Sequence, residues 1–405
     1  MPRKRVRSGV AYTRTSITGA SLGGLPSSPV ARQLSLVPAP PLGPAVLEHV
    51  WPALRAALDG AAPLAVLPAG DGPAATARAV LRPEVPLEDD VDLVVVTSGS
   101  TGTGRGVLLS AAAVRASATA TLDRLGGPGD WLLALPVSAI AGLQVLARSA
   151  LAGRTPTVLG HGQPLTDAVA AMPDGRRYTA LVPTQLRRSL AAEPEALRAF
   201  DAVLVGGAAT DPDLLTAARD AGVAVVTTYG MTETAGGCVY DGVPLDGVAV
   251  RVAEGVELAG PVLAQGYRLD PAGTAEAFAG GWFRTRDAGT WAEGRLTVHG
   301  RLDDVFISGG VNVSPQAVEA ALRAHPDVAD AVVSGVPDAE WGHRVVAAVV
   351  PAPGAAPTLE TLRPWVAGRL GAAAAPRQLH LLDAVPVLHT GKPDRRAVTR
   401  LIEGA

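Results

Sequence analysis

One alternation narrows the fold more than any other feature of this chain. From about Val46 onward, short Val/Leu runs ("VDLVVVTS", "WLLALPV", "TPTVLG", "YTALVPT", "AVLVGG" and "AVVTTYG") are separated by Ala-rich stretches of helical periodicity. Strands apolar on both faces, with helices between them, predict an α/β region of parallel-rich sheets. Near Val248 the texture changes. "VAVRVAEGVELAG" and "GRLTVHG" are broken by Gly turns, which predicts a small β-rich section of antiparallel hairpins. After Arg301 a further unit is expected. Ser314 and Pro315 supply an N-cap and a first helical residue for a helix reaching about His325. Strands in "DAVVSGVP" and "RVVAAVVPAP", a helix around Leu359–Leu370 and "QLHLLDAVP" follow it. The expected organisation is a basic, disordered tail over 1–40, a large α/β domain over 41–302 and a small, mobile α+β domain over 303–405.

A length of 405 residues exceeds one typical domain, and a hydrophobic content of 48% provides ample core. The formal net charge of −3 gives no broad cationic field, so the expected partners are small molecules and not nucleic acid. Pro, Gly, Arg or Asp interrupts every apolar stretch, which predicts no membrane span. The single cysteine, Cys238, cannot form an internal disulfide and suits a reducing, cytoplasmic setting. The first 47 residues contain no Asp or Glu and carry Arg3, Lys4, Arg5, Arg7, Arg14 and Arg32. That mimics a transit peptide, yet no apolar helical face runs through the segment, so a tail is the expectation.

The chemistry begins at "VVVTSGSTGTGRGVLLSAAAV". Here a Gly-rich loop follows an apolar strand and is expected to lead into a helix. Its backbone N–H groups, the hydroxyls of Thr97, Ser98, Ser100, Thr101 and Thr103 and the Arg105 cation can wrap a polyphosphate. The G-x-x-x-x-G spacing of a Walker A is present, but Arg105 replaces its lysine and Gly106 its Ser/Thr. Without that magnesium-binding hydroxyl, a P-loop phosphotransferase is disfavoured.

The loop resembles the phosphate-binding signature of the adenylate-forming superfamily, which includes acyl- and aryl-CoA ligases, peptide-synthetase adenylation domains and luciferases. Further segments resemble that superfamily's motifs in the same order. "VLVGGAAT", with Gly206, Gly207 and Ala208, is similar to the segment that borders the adenine. "TTYGMTETAG" is similar to the segment in which Tyr229 would flank the adenine, Thr232 would meet the α-phosphate and Glu233 would hold magnesium. "GWFRTRDAG" supplies Asp287 for both ribose hydroxyls, and "HGRLDDVFISGGVNVSPQAVE" supplies Arg301 toward the ribose and Asp303 as a hinge. "GKPDRRAV" resembles the last motif, whose lysine, here Lys392, bridges the substrate carboxylate and the α-phosphate.

These roles suit the residue types. A carboxylate can accept two hydrogen bonds from a cis-diol, and Glu233 is a hard oxygen ligand for magnesium already held by phosphates. Lys392 is one of two lysines among 35 Lys and Arg residues, the other being Lys4. A compact ammonium enters the space between two anions better than a planar guanidinium does. The resemblance implies ATP, Mg2+ and coenzyme A as cofactor and co-substrates. It also implies in-line attack of a carboxylate on the α-phosphate, then transfer of the acyl group to a thiol after the C-terminal domain rotates about Asp303.

Within the superfamily, "LPVSAIAGLQVLARSALAG", "LVPTQLRRSL" and "TYGMTETAGGCVYDGVPLDGVAVRV" are similar to the o-succinylbenzoate–CoA ligases of actinobacterial type, which serve menaquinone synthesis. That resemblance makes Arg148 a candidate partner for the substrate's second carboxylate, against the alternative of a helix-surface arginine. Ser138 and Ala139 depart from the pattern, because such ligases often carry histidine there. Two other readings stay open: a ligase for another aryl or acyl acid, and a catalytically eroded nucleotide-binding protein.

Overall fold

The structure, a computed structural model, describes residues 32–97, 104–386 and 394–403. Its centre is a seven-stranded sheet whose order is Val243–Pro244, Gly236–Tyr240, Val225–Met231, Ala202–Val205, Arg177–Leu181, Asp130–Leu133, Thr157–Val158. From Val225–Met231 to Thr157–Val158 neighbours are parallel, while the other two strands turn back antiparallel. Asp130–Leu133 and Ala202–Val205 are buried throughout, so successive side chains feed different cores. Trp131, Leu133 and Leu204 enter one cluster with the helix Ile140–Leu151, and Leu132, Val203 and Val205 enter another.

A five-stranded mixed sheet contains the parallel strands Ser35–Pro38, Leu64–Leu67 and Leu93–Thr97, then Arg105–Leu109 and Gly266–Tyr267 antiparallel. Two sequence expectations are corrected here. Residues 35–38, assigned to a disordered tail, form an edge strand. Leu34 and Leu36 join an apolar cluster, and Arg32 donates to Val91 O at 3.0 Å and to Asp92 Oδ1 at 2.8 Å. The segment after the Gly-rich loop, expected to be a helix, is the strand Arg105–Leu109, paired with Leu93–Thr97 as a hairpin. The helix begins only at Ala111, capped by the Ser110 hydroxyl. The apolar run "GVLL" therefore buries as a sheet strand, and the loop joins two strands instead of opening a helix.

The β-rich section is as expected: an antiparallel sheet of Ala249–Val252, Val256–Ala259, Trp282–Arg284 and Phe278–Ala279, followed by the hairpin Asp287–Ala292/Arg295–Arg301. Beyond it, Val311–Val313, Phe306–Ser308, Gly342–Pro351 and Val328–Asp338 pair antiparallel, with Gln378–Leu381 parallel to Gly342–Pro351. The helix Pro315–Arg323 is capped by Ser314, whose Oγ accepts from Ala317 N at 3.4 Å, and a second helix spans Leu359–Leu370. Val318, Leu322, Val333, Val345, Leu362 and Val366 belong to a core of their own. Among the described residues no helix is long and apolar enough to cross a membrane.

Candidate active site

Ligands of open α/β sheets sit beyond the carboxyl ends of parallel strands, where loops and helix starts leave polar backbone groups. Two neighbouring strands end in that way with candidate residues. Ala202–Val205 runs into Gly206, Gly207 and Ala208, and Val225–Met231 runs into a short 3-10 turn, Thr232–Thr234. Gly206 is required by proximity, since a Cβ there would lie 2.2 Å from Thr228 Oγ1. The Thr232 turn is held from within by Thr234 Oγ1, which accepts from Met231 N at 2.9 Å and donates to Gly236 O at 2.7 Å. Ala235 closes the turn at φ 50°, a left-handed conformation that costs a non-glycine residue about 1 kcal/mol. Its carbonyl accepts from Gln144 Nε2 at 2.7 Å and Ser117 Oγ at 3.1 Å, which fixes it there. Thr232 itself is buried.

Tyr229, in the same strand, reaches across to the hairpin. Its hydroxyl donates to Asp287 Oδ2 at 2.7 Å, and Arg301 Nη1 lies 3.9 Å from Asp287 Oδ1. Burial pushes the Asp287 carboxyl above its usual range, and the Tyr229 hydroxyl and Arg301 pull it back down. The Tyr229 phenol is raised by burial and by the carboxylate beside it, so it stays a donor. Arg301 holds Asp303 with two bonds, Nε to Oδ1 and Nη2 to Oδ2, both 2.8 Å. That fork holds the Asp303 carboxyl below the usual carboxylate range.

The strand pair around the Gly-rich loop supplies the second half. Gly104 has φ +31°, and a Cβ there would lie 2.6 Å from Thr97 O, so the hairpin tolerates only glycine at that point. Thr97 Oγ1 donates to Arg105 O at 3.4 Å. The Arg105 guanidinium lies over the Tyr267 ring, 4.8 Å from its centroid, and the Tyr267 hydroxyl donates to Glu233 Oε1 at 3.1 Å. Ser98, Ser100, Thr101, Thr103 and Lys392 lie outside the described residues.

Arg148 is not on the surface. It is 4% exposed, lies over Trp131 with 5.0 Å to the ring centroid, and donates from Nη2 to Tyr240 Oη at 3.4 Å. Its Nε is buried without a hydrogen-bond partner, and it forms no ion pair among the described residues. Burial pushes its pKa down. One helical turn earlier, Gln144 is the side chain that holds the Ala235 carbonyl, so this helix touches the Thr232 turn directly.

The structure thus brings Tyr229, Asp287, Arg301 and Asp303 into one contiguous set and Thr97, Arg105 and Glu233 into another. Thr232 and Glu233, on the turn after the Tyr229 strand, link the two. Sequence reasoning missed Tyr267, whose only signal was its position in "AQGYRLDP" between the two hairpin segments, and missed Gln144 and Trp131 altogether. The donor set fits a magnesium nucleotide. Among the described residues no group of three or more His, Cys, Asp or Glu is placed to hold a metal ion. One carboxylate, Glu233, is the kind of protein ligand that Mg2+ uses when phosphate oxygens and water complete its shell.

Residues 45–263 match the family model described as AMP-binding enzyme, and residues 317–392 match the AMP-binding enzyme C-terminal domain. The chain is 49% identical over 339 residues to a probable 2-succinylbenzoate–CoA ligase of Mycobacterium tuberculosis, covering 80% of this chain and 88% of that protein. It is 34% identical over 372 residues to a 2-succinylbenzoate–CoA ligase of Geobacillus kaustophilus, covering 82% of this chain and 75% of that protein. Among solved structures, o-succinylbenzoate CoA synthetase (MenE) from Bacillus subtilis in complex with the acyl-adenylate OSB-AMP superposes with a TM-score of 0.77 at 23% identity, over 91% of this chain and 88% of that one. The same enzyme with ATP and magnesium ion also gives 0.77, at 22% identity, over 91% and 89%. With its family model matched over more than half its length and a relative 49% identical over 80% of the chain, the chain belongs to the AMP-binding enzyme family.

Proposed function

We infer that this chain is an ATP-dependent acid–thiol ligase that adenylates 2-succinylbenzoate and transfers the acyl group to coenzyme A, a step of menaquinone synthesis. The observation that carries the choice of acid is Arg148: a guanidinium 4% exposed with no ion pair among the described residues. An unpaired buried charge is costly, and a second substrate carboxylate would complete it. A monocarboxylic aryl acid would leave it uncompensated.

The proposed roles follow from chemistry and position. Asp287, oriented by Tyr229 and Arg301, accepts the ribose hydroxyls. Gly206, Gly207 and Ala208 border the adenine while the Tyr229 ring flanks it, and Thr232 meets the α-phosphate. Thr97, Ser98, Ser100, Thr101, Thr103 and Arg105 take the outer phosphates, and Glu233 holds magnesium, which when bound neutralises charge on the phosphates. Lys392 bridges the acid's carboxylate and the α-phosphate. There it brings the attacking oxygen into line and offsets the charge that develops as pyrophosphate leaves.

We further propose a domain division at 302/303, with Asp303 as the hinge about which the smaller domain turns before thiol transfer. The Arg301–Asp303 fork, which ties the hinge residue to the ribose-facing arginine, supports that hinge. A cytoplasmic location is part of the proposal, and the free, buried Cys238 is consistent with a reducing compartment.

The test is pyrophosphate release by purified protein with ATP and a panel of acids. Selective turnover on 2-succinylbenzoate over benzoate, other aryl acids and fatty acids is expected. Equal turnover on benzoate would reject the dicarboxylic reading.

A further inference from the structure

Tyr267 sits between two groups that the proposed reaction uses, and it has no role in that reading so far. It is 5% exposed, at the end of the short strand Gly266–Tyr267 beside Arg105–Leu109. Its hydroxyl donates to Glu233 Oε1 at 3.1 Å, and its ring face lies under the Arg105 guanidinium, 4.8 Å from the centroid. We propose that Tyr267 is a positioning residue that sets both ends of the outer-phosphate site at once, its hydroxyl aiming the Glu233 carboxylate at magnesium and its ring seating Arg105 at the phosphates.

Three features make Tyr267 rigid enough for that task. Its backbone N donates to Thr274 Oγ1 at 2.9 Å, and its ring packs edge-on against Phe278 with centroids 5.7 Å apart. The next residue, Arg268, has a side chain with no solvent exposure. It donates to the carbonyls of Leu81, Arg82, Val85 and Pro86 and to Glu88 Oε2, while its backbone N donates to Gly106 O at 2.7 Å. The Glu233 end is anchored too, because Ala264 N donates to Glu233 O at 2.8 Å. Arg105 is exposed, and its side chain packs on the Tyr267 ring and lies against the Tyr267 hydroxyl as well.

The proposal rests on the adenylation reading, and its test separates the two. Full-length protein, Tyr267→Phe and Tyr267→Leu are compared by calorimetric titration with ATP, once with Mg2+ and once with EDTA, and by thermal melting. Phe keeps the ring and removes the hydroxyl. It is expected to bind ATP in EDTA like the parent, within about twofold, and to lose about tenfold of the affinity gained from Mg2+, the size of one charge-assisted hydrogen bond. Leu is expected to lose the magnesium gain and, in addition, severalfold of the affinity in EDTA, because Arg105 loses its seat. In pyrophosphate release the half-saturating Mg2+ concentration should rise in Tyr267→Phe while KM for the acid stays unchanged.

A Phe variant whose magnesium gain equals the parent's would overturn the proposal. So would equal losses for Phe and Leu under every condition together with a lowered melting temperature, which is the signature of packing alone. If the parent binds ATP with Mg2+ yet releases no pyrophosphate with any acid, the adenylation reading fails, and the titrations still decide the role of Tyr267.

Discussion

The Tyr229 hydroxyl donates to Asp287 Oδ2 at 2.7 Å, joining the strand that ends in the Thr232 turn to the hairpin Asp287–Ala292/Arg295–Arg301. In the proposed reading one aromatic residue thereby serves two parts of the nucleotide, its ring the adenine and its hydroxyl the group that holds the sugar. Tyr229→Phe should preserve the ring packing and raise KM for ATP by about tenfold, the worth of a hydrogen bond to a charged acceptor, with KM for the acid little changed. Steady-state kinetics with each substrate varied in turn checks it.

The same pair predicts a pH effect with a definite sign. Burial raises the Asp287 carboxyl and the Tyr229 hydrogen bond lowers it, so removing the hydroxyl raises it further. As pH falls, the carboxylate is then protonated sooner, and ATP affinity in Tyr229→Phe should be lost at a higher pH than in the parent. For stability the raised carboxyl works in the other direction. Its protonated form favours the folded state, and that contribution disappears as pH rises through the folded value. ATP titrations across the acidic range read the first effect, and an acid limb that does not move would remove Tyr229 as the group that orients Asp287.

Arg148 opposes stability and specificity. Replacing it with methionine removes a buried cation that has no ion pair among the described residues and keeps most of the volume, so Arg148→Met should melt no lower than the parent. It should also cut kcat/KM for 2-succinylbenzoate by about tenfold or more while leaving benzoate turnover nearly unchanged. Equal losses on both acids would assign Arg148 to packing against Trp131.

Lys392→Ala should slow adenylation by several orders of magnitude, about the scale reached when positioning and charge stabilisation are lost together. Thioester formation from preformed acyl-adenylate should survive. Single-turnover assays of the two half-reactions read them separately, and near-parental adenylation would exclude the lysine from the chemistry.

The Arg268 side chain, wholly buried, distributes its donors over four carbonyls and Glu88. Lysine has three donors and no fork, so Arg268→Lys leaves buried carbonyls unpaired and should cost about 3 kcal/mol of unfolding free energy. Denaturant titration measures it.

Much of this was legible in the sequence because the signals were local. The Ser314-Pro315 helix start and the helix Leu359–Leu370 come from caps and periodicity, and the buried strands of the central sheet come from uninterrupted Val/Leu runs. The run "GVLL" misled because a short apolar stretch merging into an alanine-rich helix has no period of its own. Ser35–Pro38 was missed because its partner, Leu64–Leu67, lies well downstream and Pro38 and Pro40 read as loop residues. The candidate groups were visible one by one as motif residues. Their mutual arrangement, Tyr229 on Asp287 and Tyr267 on both Arg105 and Glu233, depends on contacts between distant segments, and local patterning does not encode it.

The most direct measurement is mass-spectrometric detection of the thioester formed when purified protein is incubated with ATP, Mg2+, coenzyme A and 2-succinylbenzoate. Accumulation of 2-succinylbenzoyl-CoA, dependent on ATP and absent with Lys392→Ala, is the predicted result. Absence of that thioester alongside rapid thioester formation from a different acid would contradict the assignment of the substrate, and absence of any thioester or pyrophosphate would contradict the ligase itself.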